Sequence, residues 1–254
     1  MRTVNEMVPI LGYHFFSNGR HSYALAEDEL PYVLEEAVLG EHLQGLVALG
    51  YQSVSLAEYI GGVALPPKPV VLTVDDGHVS FYHIALPLLV EHGFRATVFV
   101  PGRNVGRDGY LTASQLCDLT THGIEIGAHG QSHRPLTAMT AVDAREELRA
   151  SKEALEEAMG TEVAFMALPH GFGSPMIIEA ARELGYRAVC TSRFGVNGRA
   201  ARGFCLNRIG IKDAISWSAL QPLMAPGTVE YWRAVALDRT KSLAKWVLRM
   251  HKRG

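Results

Sequence analysis

Two adjacent carboxylates, Asp75 and Asp76, end the apolar run Val70-Val71-Leu72-Thr73-Val74 and are followed by Gly77. A buried strand reads as a continuous apolar run, and this run stops where the charges begin. Neighbouring acids at the mouth of such a strand repel each other and are costly to ionise without a cation. The alternative is a solvated Asp-Asp-Gly turn, because Asp and Gly are common turn residues. Further along stand His129 and His133. Four residues apart on one helical turn, their imidazoles would share a side and reach one ion. Eleven histidines make such a spacing available by chance, so its weight comes from the acid pair at another strand's end. Two histidines and one carboxylate leave positions open for water, as in a catalytic zinc site rather than a closed structural one.

The elements that must position these residues alternate. Strands are expected at Val8–Tyr13, Val70–Val74, Ala96–Val100, Ile124–Gly127, Val163–Ala167, Ala188–Thr191 and Leu206–Ile211, with helices at Leu34–Leu49, Phe81–His92, Ala113–His122, Ala141–Met159 and Pro175–Leu184. Gly50, Gly93, Gly123, Gly160 and Gly185 each follow a helical stretch and precede a strand, the place of a left-handed helix cap. Thr112 with Gln115 has the form of a capping box, and Pro175 suits a first helical turn. Helix and strand in alternation imply an α/β fold with a mainly parallel sheet. About seven strands favour a distorted (β/α) barrel, a single domain over residues 1–226 with a C-terminal amphipathic helix over 227–254. His14, Asp75, Asp76, His129, His133 and His170 fall after expected strands, and Arg208 is grouped with them from within the last, on the barrel face where substrate sites are built.

Here the residues resemble a family. Thr73-Val74-Asp75-Asp76-Gly77 resembles the first motif of the polysaccharide deacetylases (NodB-homology, carbohydrate esterase family 4), usually T-F-D-D-G. His129-x-x-x-His133 is similar to their second, with Gly130 at the hydroxyl position, and Leu168-Pro169-His170-Gly171 to their third, with His170 for an aromatic residue. Pro9-Ile10-Leu11-Gly12-Tyr13-His14 is similar to a Tyr-His strand in one branch. The resemblance implies an N-deacetylase acting on an N-acetylated amino sugar. Asp76, His129 and His133 would hold a divalent metal, with zinc the first choice for that donor set. Asp75 would be the general base, and Pro169-His170 the turn whose His170 N–H meets the oxyanion.

The departures carry information too. Many relatives brace the base with an arginine where Ala167 stands here, and carry a late histidine acid where this chain has Asn207 and Arg208. The family's fourth motif is not evident. His14 and His170 are the first candidates for the missing acid. Arg208 could replace the brace through a bidentate contact to Asp75, or form a strand-end salt bridge without a role in the reaction. Phe194 and Asn197 lie in a loop similar to a sugar-contacting one, and His78 could line the site or simply enter a helix. Other readings are a metal-dependent amidohydrolase on a small non-sugar C–N substrate and a catalytically decayed carbohydrate-binding protein. Ala167 and the missing histidine motivate the second; four intact site residues speak against it.

With 48% hydrophobic and 20% charged residues in 254, the chain can bury a sizeable core, and a net charge of −2 gives no reason to expect nucleic acid. Cys117, Cys190 and Cys205 are too few and too scattered for a disulfide framework and read as small buried hydrophobes in a reducing compartment. With no signal peptide and no membrane-length run, the expected location is the cytoplasm. From Arg239 onward there are six Lys or Arg and no acids, among them Trp246. That helix either packs on the barrel with a solvated basic tip or makes a peripheral membrane contact.

Overall fold

Successive residues of a strand point to opposite faces, and along Pro69–Val74 this divides the most apolar stretch of the chain in two. Val71 joins one core cluster while Val70, Leu72 and Val74 join another. The computed structural model describes residues 7–21, 23–198 and 203–251, of which 241–251 are given as backbone only. Seven strands close a parallel barrel: β1 (Ile10–Tyr13), β2 (Pro69–Val74), β3 (Thr97–Val100), β4 (Glu125–Ala128), β5 (Phe165–Ala167), β6 (Ala188–Phe194) and β7 (Cys205–Gly210). They follow chain order around the ring, which β1 closes by pairing with both β2 and β7. Ile10, Val71, Phe99, Phe165, Ala188 and Leu206 fill one cluster, the lumen. The second cluster lies between the barrel and its helices, through Leu11, Leu72, Val98, Met166 and Ile209.

The helices are α1 (Glu36–Ala48), α2 (Leu56–Gly61), α3 (Leu86–Glu91), α4 (Ala113–Thr121), α5 (Ala141–Met159), α6 (Pro175–Glu183), α7 (Trp217–Leu220) and α8 (Val229–His251). The expected barrel is the one observed. All five junction glycines have positive φ, Thr112 and Gln115 form the capping box, and Pro175 occupies the first turn of α6.

Several boundaries differ for local reasons. Pro9 has no N–H for a ladder, so the first expected strand splits into Met7–Val8 and β1. Val33–Glu35 pairs with Phe15–Ser17, so the first helix starts at Glu36 rather than Leu34. The expected helix Phe81–His92 opens with a widened π turn, Phe81–Ala85, before α3. Pro87 explains it: the ring cannot donate back to the preceding turn and crowds its carbonyl. Only Cys190 is buried, whereas Cys117 and Cys205 are exposed.

At its start α8 is tied to the barrel, with Tyr231 Oη accepting from Val196 N–H at 3.4 Å. The expected apolar stripe through Leu243, Trp246, Val247 and Met250 lies outside the described side chains. Among the described residues no helix is long and apolar enough to cross a membrane.

The α1–α7 contact depends on one missing side chain. A Cβ at Gly45 would sit 2.1 Å from the Trp217 ring. Alanine gains at most about 1 kcal/mol of helix propensity over glycine, whereas overpacking costs about 1–3 kcal/mol. The Gly45→Ala variant is therefore expected to melt below the wild type; an equal or higher melting temperature would show that Trp217 moves aside freely.

Candidate active site

Strand register brings the site together. Tyr13 pairs with Val74, and Val100 with Ala128, so the next residues, His14, Asp75 and His129, leave the barrel at one rim. Asp75 keeps the inward direction of Val71 and Thr73 and is anchored by its N–H donating to Tyr13 C=O at 2.9 Å. Asp76 turns away from the strand with φ +74°.

The two acids therefore have different partners. Asp75 is clamped by Arg208, whose Nη1–H and Nη2–H donate to Oδ1 at 2.6 Å and Oδ2 at 2.8 Å. The arginine is itself held, its Nε–H donating to Thr191 C=O at 3.1 Å and Nη1–H to Thr73 Oγ1 at 3.3 Å. Arg208 lies inside β7 rather than after it, and on the same inward alternation as Leu206. Asp76 Oδ1 lies 3.0 Å from His133 Nε2 and 3.5 Å from His129 Nε2. His129 Nδ1–H donates to Ala167 C=O at 2.9 Å, which leaves Nε2 free to face the acids.

Burial opposes charge on Asp75, but Arg208 and His129 outweigh it and hold the carboxyl below its usual range. Burial opposes charge on Asp76 as well, and hydrogen bonds from His129 and His133 bring it well below. His129 shifts the other way: burial lowers its pKa, yet Asp75 and Asp76 raise it overall. Asp76, His129 and His133 offer ligand atoms all within 4.8 Å of one another, two imidazole nitrogens and one carboxylate oxygen. That donor set, with one histidine already oriented by a backbone carbonyl, fits a divalent ion.

His129 and His133 do not share a helical turn as expected. The segment is an irregular loop, with φ of +71° at Gly130 and +60° at His133. Gly130 suits the place twice over, since a Cβ there would also press to 3.0 Å of Pro169 Cγ. Pro169 is buried and opens a short 3-10 turn, Pro169–Gly171, in which His170 has φ +58°. The exposed His170 ring donates from Nε2 to His133 C=O at 3.2 Å. His14 Nε2 lies 3.8 Å from Asp75 Oδ2, its ring packs on Tyr32 at 4.6 Å, and its buried Nδ1 has no partner among the described residues. Burial lowers the His14 pKa despite the nearby acids.

With the barrel and its rim in place, comparison with known proteins is decisive. A family model of polysaccharide deacetylases matches residues 62–189, half of the chain. The chain belongs to the polysaccharide deacetylase family. Family membership makes it a hydrolase of the amide bonds of acetylated sugars. YxkH of Bacillus subtilis, named a candidate polysaccharide deacetylase, is 29% identical over 216 residues, 84% of this chain and 74% of that one. The peptidoglycan-N-acetylmuramic acid deacetylase PdaA of the same organism is 26% identical over 78% of this chain and 71% of its own. The solved structure of the Streptococcus pyogenes deacetylase PplD in complex with acetate superposes with a TM-score of 0.75 and 27% identity, covering 87% of this chain and 99% of that one.

Other expected contributors to this deacetylase rim are occupied elsewhere. His78 is buried, hydrogen-bonded through Nδ1 to Ser80 Oγ at 2.8 Å and boxed by Phe15, Tyr23 and Tyr110, and burial pushes its pKa down to about 4. Asn197 is spent on the backbone of Asn207, donating to its C=O and accepting from its N–H at 2.9 Å each, and Phe194 packs on Tyr231. Glu147 was missed: it lies on α5 and reaches the His129–His133 loop. An acid on an amphipathic helix looks like any solvated charge, so no sequence signal marks it.

The metal-free protein has a pH signature. With its folded pKa raised, His129 contributes stability that is fully present below the unfolded value of about 6.5 and is lost as pH rises through the folded value. Denaturant unfolding of chelator-stripped protein is expected to show stability falling over that interval. In His129→Gln the fall should shrink; an undiminished fall would assign it to another group.

Proposed function

We propose that this protein is a metal-dependent N-deacetylase that hydrolyses the acetamide of an N-acetylated amino sugar within an oligo-, poly- or lipid-linked saccharide. One observation carries the reading. A buried carboxylate, held in a bidentate grip by Arg208, sits 3.9 Å from a histidine of the two-His, one-Asp set. Asp76, His129 and His133 would hold the ion, with zinc the first choice among the divalent ions that suit those donors. Once bound, such an ion supplies Lewis-acid polarisation of the acetamide carbonyl and an acidified water.

The remaining chemistry falls to the chain's own residues. Asp75 takes a proton from the attacking water, with Arg208 fixing the direction of its lone pairs and keeping it ionised. The grip lowers its basicity, so orientation is what Arg208 contributes. The N–H of His170, on the positive-φ turn after Pro169, would donate to the oxyanion that develops as water adds to the carbonyl carbon. His14, neutral through burial and 3.8 Å from Asp75, is suited to receive the proton and pass it to the departing amine as the C–N bond breaks. His170 suits that relay less well, because its Nε2 is engaged by the His133 carbonyl. Ala167 and the missing late histidine are the arguments for a decayed site; Arg208 supplies from β7 the contact that Ala167 cannot make, and His14 is the candidate for the absent acid. The acetate in the name of the PplD complex is the product this reaction would release.

Acetate release from a panel of N-acetylated saccharides tests the assignment, with zinc content measured on every sample. Asp75→Asn should retain metal and lose activity. His14→Gln should retain metal and lose about 10²–10⁴-fold in kcat, the usual share of a general acid–base group. Wild-type protein that binds zinc yet releases acetate from no saccharide would defeat the proposal. Arg208→Lys keeps the charge but not the fork, and should lower kcat with little change in KM. An equal rise in KM would instead make Arg208 a substrate contact.

A further inference from the structure

The two histidine ligands are secured very differently. His129 follows β4, is buried, and has its ring fixed by the Ala167 carbonyl. His133 is 35% exposed, stands at φ +60° and ends a loop without regular structure of its own. A non-glycine residue holds such a conformation only where its surroundings over-determine it.

Those surroundings are largely α5. Glu147 and Ser151 are four residues apart and so share one face of that helix. Glu147 Oε2 accepts from the N–H groups of Gln131 at 3.0 Å and Ser132 at 2.8 Å, and Oε1 accepts from Ser132 Oγ–H at 2.8 Å. Ser151 Oγ–H donates to Gly130 C=O at 2.8 Å. From the β3 side, Gly102 N–H reaches the same Gly130 carbonyl at 3.0 Å, and Arg103 N–H reaches Gln131 C=O at 2.9 Å. Among the described residues no salt bridge pairs Glu147 with a cation, so its hydrogen bonding is spent on the loop. Hydrogen bonds to an ionised acceptor are the stronger kind.

We infer that Glu147 is a positioning residue of the metal centre, latching Gln131 and Ser132 so that His133 presents Nε2 beside Asp76. The inference rests on reading Asp76, His129 and His133 as metal ligands. Residues that orient a ligand from outside typically govern metal affinity by about 10–100-fold. Here the orientation acts on the ligand's backbone rather than on its ring, which suits a ligand too exposed to be fixed by packing.

The test uses the full chain, stripped with a chelator and titrated with zinc against a chromophoric competitor. Hydrogen exchange at the Gln131 and Ser132 amides and the melting temperature of the metal-free protein are read in parallel. Glu147→Ala should lose about 10–100-fold in zinc affinity and lose amide protection in the loop. Glu147→Gln should recover most of both, because its carboxamide oxygen can accept the two amides while its NH₂ meets Ser132 Oγ. Wild-type zinc affinity in Glu147→Ala overturns the inference. So does an affinity loss with loop protection unchanged, or one that glutamine does not rescue. A lower melting temperature alone, with affinity intact, makes Glu147 merely structural. If the wild type binds no zinc, the ligand reading fails separately. The latch is then judged by exchange alone, and unchanged protection in Glu147→Ala overturns it.

Discussion

Two carboxylates on consecutive residues repel each other, and burying them makes the repulsion worse. The site is arranged around that constraint. Asp75 continues the strand and meets a guanidinium inside the barrel, while Asp76 turns out with φ +74° and meets two imidazoles. A single change in backbone handedness separates the pair into a gripped anion and a metal-facing one. Removing either set of partners would leave an uncompensated buried charge, a loss of about 3–5 kcal/mol for a broken buried pair.

The cost of this arrangement is held in the backbone. Of the five non-glycine residues with positive φ among those described, three are Asp76, His133 and His170. Left-handed conformations cost an ordinary residue about 1–2 kcal/mol each. The barrel below the rim is mainly apolar, and these turns are flanked by hydrogen bonds to it or to α5: Asp75 N–H to Tyr13 C=O, Leu168 N–H to Cys190 C=O, and Gln131 and Ser132 N–H to Glu147. Stability resides in the lumen and the helix layer, and strain collects where ligands and oxyanion donor must converge.

Much of this was legible in the sequence because period and chemistry coincide. The run Val70–Val74 announced a buried strand and its end marked the acid pair, whereas the alternation that turns Asp75 to the lumen side is visible only in the packed barrel. The resemblance in the first two motifs pointed to the four central residues, and the junction glycines to the helix ends. The Arg208 contact was readable only as an option, because β7 comes within reach of Asp75 only when β1 joins it to β2 and closes the barrel, which no local pattern encodes. The geometry of the His129–His133 loop was misread, since a four-residue spacing fits a helical turn equally well. Glu147 was invisible for the same reason that surface acids usually are: its partners are backbone amides, which carry no side-chain signature.

The order of the strands in the chain has a consequence for synthesis. Asp75 and the arginine that grips it are 133 residues apart, and β7 is the last strand to complete the ring. On the ribosome the acid pair emerges first, the two histidines next, and the guanidinium only when the barrel is nearly whole. Through that interval the paired acids have imidazoles to meet but lack the guanidinium that grips Asp75. The half-built sheet must keep its open rim wet, protonated or loaded with an ion until β7 arrives. The closing strand therefore does more than seal a seam: its docking dries the lumen beneath Asp75 and delivers the charge that makes drying tolerable.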